Sequence, residues 1–172
     1  MDNGSESSPF KYYTVFSLFV SFMILIWSWF RKIDVSLFIF AYCVITTVCI
    51  MGSLYIAIPH LDYYIKYHDL DSKQVIMYDL LIHVFPLIMA ILLFKYNLKN
   101  VDRTTGSGSG SGSEGNILKK CIFLTFFTSF IYLLINKFNN VYVNYDLVVL
   151  MILNYSVFIS SFKIYYNLMK QG

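Results

Sequence analysis

The chain has 172 residues, 58% of them hydrophobic and 13% charged, with a formal net charge of +3. That charged share is about half the roughly 25% a soluble domain uses to cover its surface, so composition excludes an ordinary water-soluble globule and points to a polytopic membrane protein. The basic residues sit at the ends of apolar runs, a pattern that suits orientation in a bilayer and gives no footing for nucleic acid.

Residues 1–9 are acidic and polar, and the apolar run after them is too long for the core of a cleavable signal. That run is expected to stay as a helix. Five runs come close to the roughly 20 residues that span a hydrocarbon core. They cover about 11–30, 35–58, 75–96, 116–136 and 143–168. Their length and lack of alternation predict helices rather than strands. The predicted fold is therefore all-α, a polytopic membrane helix bundle with about five transmembrane helices. Between the third and fourth runs lies "GSGSGSGS", Gly106 to Ser113, a perfect alternation with the look of an engineered flexible linker. It either replaces a native loop or joins two pieces. The expected organisation is helices 1 to 3 in residues 1–103, the linker in 104–115, and helices 4 and 5 in 116–172, all in one membrane domain.

Orientation follows from Lys and Arg. The first and third loops, with their flanks, carry seven such residues and the opposite side four. This places the N-terminus on the lumenal or extracellular side and the C-terminus in the cytosol; the expected membrane is the endoplasmic reticulum or another endomembrane, with the N-terminus lumenal. Alternating threading then brings one set of polar residues to the lumenal half. Thr14 and Ser17 come from helix 1, Tyr55 from helix 2, and Asp79 and His83 from helix 3. Asn136 ends helix 4, and Asn144, Tyr145, Asp146 and Asn154 belong to helix 5. The cytosolic half holds a poorer set, Ser28, Ser36, Ser160 and Lys163.

Asp79 and His83 are spaced i, i+4 and share a helix face. An ionisable residue inside a membrane helix costs a few kcal/mol and usually faces a partner in the bundle. Pro86 follows within a turn, frees the carbonyl of Ile82 and can kink the helix. The pair reads equally as a catalytic imidazole with its carboxylate or as a polar fastener between helices. A lone membrane Thr usually bonds its own backbone or a neighbouring helix. With an imidazole in reach, Thr14 would instead form a nucleophile–base pair.

Cys43, Cys49 and Cys121 lie in apolar segments without ligand spacing and read as buried thiols. His60, Asp62, His68, Asp69 and Asp71 share the second loop, again without a recognised metal spacing. No metal and no cofactor is expected. Tyr63, Tyr64, Tyr165 and Tyr166 fit an interfacial aromatic belt.

Three stretches carry a family resemblance: "FKYYTVFSLFV", "LLIHVFPLIMAILLF" and "FIYLLINKFNNVYVNYDL". They resemble the androgen-induced and androgen-dependent multipass membrane proteins, which hydrolyse fatty-acid esters of hydroxy fatty acids and share their helical layout with membrane acyltransferases. The resemblance implies an intramembrane lipid-ester hydrolase with Thr14 as nucleophile and His83 as base. His83 would take the Thr14 proton as the hydroxyl attacks the ester carbonyl, and water would cleave the acyl-threonine. Tyr55, Asn136, Asn144 and Tyr145 would serve as oxyanion donors, with Ser17 and Asp79 supporting. The implied partners are membrane lipids and a lipid ester, with a homo-oligomer allowed. The family usually has six helices, and a Pro where this chain has Asn144 and Tyr145. The competing expectation is a non-enzymatic membrane protein, an oligomeric channel or a scaffold, of the kind a virus or parasite encodes. A polar cluster that stops midway argues against a through-pore.

Overall fold

A computed structural model describes residues 13–57, 71–102, 114–135 and 147–171. Five helices make up nearly all of it: α1 (Tyr13–Phe30), α2 (Val35–Ala57), α3 (Ser72–Asn100), α4 (Glu114–Ile135) and α5 (Leu147–Gln171). The fold is all-α, as the composition predicts. Its one departure is a pair of two-residue parallel strands, β1 (Ile33–Asp34) and β2 (Val101–Asp102). By length and composition α1, the Val35–Leu54 part of α2, and α3 are each able to cross a membrane.

The sequence explains which helix lies at the centre. Residues 35–54 are apolar on every side, and a helix without a polar face has to be buried all round. In α2, 78% of the apolar core is buried, against 33% in α1 and 17% in α3, so α2 is the axis of the bundle. Phe38, Ile39, Ala41, Tyr42, Cys43 and Ile45 are all but sealed from solvent. The other four helices pack against α2 from outside.

The helices alternate in direction. β1 pairs Ile33 with Val101, which holds the start of α2 beside the end of α3. Lys120 at the start of α4 reaches Asp34 at 3.9 Å, and Cys121 Sγ–H donates to the Ser36 carbonyl at 3.4 Å. Thr46 and Tyr165 share a hydrogen bond of 2.7 Å, which brings the end of α5 to the same side. That end gathers Arg31, Lys32, Lys95, Lys99, Lys119, Lys120 and Lys170. Three of these cations lie over aromatic rings: Arg31 over Trp27, Lys99 over Tyr96 and Lys170 over Tyr166, at 5.7, 4.0 and 4.5 Å from the centroids. At the opposite end Lys73 is the one Lys or Arg among the described residues.

Local chemistry sets the helix ends. Asp71 and Gln74 form a reciprocal capping box: the Gln74 N–H donates to Asp71 at 2.8 Å, and the Asp71 N–H donates to Gln74 at 2.9 Å. The third helix therefore begins at Ser72, three residues before the expected 75, and Asp71 is a cap rather than a loop ligand. Asp34 caps α2 by accepting the Ser36 N–H at 2.7 Å. Glu114 and Gly115, expected in the linker, form the first turn of α4.

A second correction concerns the aromatic belt. Tyr165 and Tyr166 are buried, because α5 turns them toward α2. Tyr165 joins Phe38, Tyr42 and Phe94 in one aromatic cluster, with ring centroids 4.8 to 5.4 Å apart.

Candidate functional site

The buried stripe of α3 runs Val75, His83, Pro86, Ala90, Phe94, Asn97. From His83 on, its steps of three and four residues keep it on one helix face, and the half-buried Asp79 lies midway between Val75 and His83, four residues from each. The helix reaches this register through a local irregularity. Pro86 has no N–H to give the carbonyl one turn back, and its ring crowds that carbonyl. The chain responds with a π turn over Leu80–Val84, where the Phe85 N–H donates to the Leu80 carbonyl. This wider turn carries His83 and lies directly before the proline.

Around it the polar groups close on one another. His83 Nδ1–H donates to Asp79 Oδ1 at 2.7 Å. Ser53 Oγ–H, from α2, lies 3.0 and 3.2 Å from the two oxygens of the same carboxylate. Asp79 therefore joins the imidazole of α3 to a hydroxyl of α2. The far edge of the ring, with Nε2, presses on Gly52 of α2. A methyl group at Gly52 would overlap Nε2 and Cδ2. Glycine costs a helix interior about 1 kcal/mol relative to alanine. Here its bare Cα is what admits the ring. His83 is 6% exposed, so the imidazole is held between its own carboxylate and the α2 backbone.

No hydrogen bond joins Thr14 to this group. The first turn of α1 faces α4: Tyr13 OH and Ser129 Oγ lie 2.9 Å apart, and Tyr13 and Phe16 both pack on Tyr132. Thr14 is half-buried and makes no side-chain hydrogen bond to His83 or to any other described residue. Ser17 is buried, and its hydroxyl has no hydrogen-bond partner among the described residues. The Tyr55 side chain, Asn136, Asn144, Tyr145 and Asp146 lie outside what the structure describes, as do Tyr63, Tyr64, His60, Asp62, His68 and Asp69. No group of three metal-ligating side chains occurs among the described residues.

The other half of the bundle is richer in buried polar contacts than its sequence suggests. Asn97, 2% exposed, donates through Nδ2 to Tyr42 OH at 2.9 Å and accepts the Trp29 Nε1–H at 3.3 Å. One side chain thus ties α3 to α2 and α1. The apolar run that predicts the third helix stops at about residue 96, one short of Asn97. The available signal was register: Asn97 follows Ala90 and Phe94 at i+7 and i+3 on the buried face. Ser28 and Ser160, which the sequence placed in this half, bond only carbonyls of their own helices.

Chemically, a carboxylate on Nδ1 is the arrangement that orients an imidazole to act through Nε2. In this structure Nε2 lies against Gly52 of α2, and no hydroxyl among the described residues bonds it. The arrangement fastens α3 to α2. An open groove of about 490 Å³ lies instead at the basic end, between the starts of α2 and α4. No family model matches the chain, and no curated protein or solved structure matches it.

Proposed function

We propose that the chain is a non-enzymatic integral membrane scaffold. The observation that supports this reading is the lodging of His83 Nε2 against Gly52, with Asp79 held by Ser53. Asp79 bonds across to α2 and His83 packs at the same contact, as buried polar residues in membrane bundles commonly do. The axis of the bundle is filled by α2, which argues against a pore through a single copy. Outward residues suit contact with acyl chains or other membrane proteins: Phe123, Phe126, Phe127 and Phe130 of α4 are all more than half exposed. The basic end lies in the cytosol on this reading, since cytosolic loops carry the excess of Lys and Arg.

Catalysis is the second reading, as a Thr14–His83 lipid-ester hydrolase. The 2.7 Å bond from Asp79 to Nδ1 favours it, because a general base needs that orientation. It requires the ring to leave Gly52 and meet Thr14. One experiment separates the two. Purified protein is assayed for labelling by a fluorophosphonate and for turnover of a lipid-ester panel, beside Thr14→Ala and His83→Ala, with thermal melting in detergent. The scaffold reading expects no turnover and a lowered melting temperature for His83→Ala. Turnover in the wild type, abolished by both substitutions with melting unchanged, would overturn it.

A further inference from the structure

We propose that the groove between the starts of α2 and α4 binds an anionic phospholipid, with its phosphate at Lys119 and Lys120 and one acyl chain along Leu37, Phe123 and Leu124. The proposal rests on the membrane reading above, and not on whether the chain is a scaffold or an enzyme.

The groove joins two helices that start at the same end and run in the same direction. On each, charge comes first and apolar surface follows one turn later. Asp34 precedes Leu37 on α2, and Lys119 and Lys120 precede Phe123 and Leu124 on α4. A phospholipid has the same order, an anionic headgroup at the interface and a chain beneath it. Lys120 is half exposed and lies 3.9 Å from Asp34, which holds the ammonium at the groove. Lys119 is exposed and makes no ion pair among the described residues. At the groove the two lysines outnumber the one carboxylate, Asp34, which favours an anionic over a zwitterionic headgroup. Phe123 is 68% exposed, an apolar ring on the outer surface that a neighbouring acyl chain would cover.

The test is native mass spectrometry of the full chain released from nanodiscs of phosphatidylcholine with and without phosphatidylserine. The wild type should retain a phosphatidylserine adduct in preference to phosphatidylcholine. Lys119→Gln/Lys120→Gln should weaken that adduct about thirty-fold, since each lysine near an anionic surface is worth about a factor of five. Lys95→Gln/Lys99→Gln removes the same charge away from the groove and should leave the adduct nearly unchanged. Asp34→Asn keeps a good helix cap and removes the competing carboxylate, so it should tighten retention. Equal loss in both lysine pairs, or no preference for the anionic lipid, would overturn the site. Failure of the membrane reading looks different: the chain would then be released from membranes by alkaline carbonate without detergent.

Discussion

Gly52 is where the chemistry of a single residue is most exposed to test. Alanine is a better helix former there by about 1 kcal/mol, so a helix considered alone would gain from Gly52→Ala. The ring of His83 reverses the sign, because the added methyl has nowhere to go. We expect Gly52→Ala to destabilise the bundle by about 1–3 kcal/mol, read as a lower melting temperature in detergent. Gly52→Ala combined with His83→Ala should recover part of that loss, and a strictly additive cycle would contradict the contact. Asn97→Leu is the companion case at the other end of α3. It leaves the Tyr42 hydroxyl and the Trp29 indole without their shared partner, at a cost of about 1 kcal/mol. The Asp79–His83 pair was legible in the sequence because two ionisable residues in an apolar run are conspicuous. Its partners were not, because Gly52 and Ser53 are unremarkable letters until a second helix lies over them.

At the scale of elements, α3 shows what periodicity carries and what it loses. Its existence and span follow from apolar length alone. Its first turn does not, because Asp71 and Gln74 belong to a polar loop by composition and to a helix only by their mutual hydrogen bonds. Asp71→Ala should fray that turn at about 1 kcal/mol. Hydrogen exchange should quicken at Lys73 to Val75, while amides beyond the π turn keep their protection. A uniform rise along α3 would place the cap in the global core instead. The aromatic tyrosines of α5 mislead for a similar reason. A Tyr near a helix end suits the interface, but Tyr165 has Thr46 to bond and Phe94 to stack on, and α2 draws it in.

For the whole molecule, the central place of α2 was implicit in its lack of any polar face, and the rest of the packing followed from it. Thr14 illustrates the limit. Threading fixes depth, but not which side chains meet at that depth, and His83 bonds Asp79 of its own helix rather than Thr14. The same architecture predicts the result of cutting the chain. Both α4 and α5 pack on α2 across the Gly106–Ser113 segment. A protease site placed within that segment should give two fragments that co-elute on size exclusion in detergent. Fragments that separate would mean that the covalent link, rather than the packing, keeps the halves together.

The position of α2 also has a consequence for biogenesis. It leaves the ribosome before α3, α4 and α5, the helices that cover most of its surface. A helix apolar all round tolerates that wait, because lipid can stand in for protein on each side. The helix that cannot wait is α3, with an acid and an imidazole in its first half. By the time it is made, Ser53 and Gly52 are already in the bilayer, so its polar pair is inserted against a receiving surface. Order of synthesis thus matches order of need: the tolerant helix comes first and serves as the template on which the demanding one is laid.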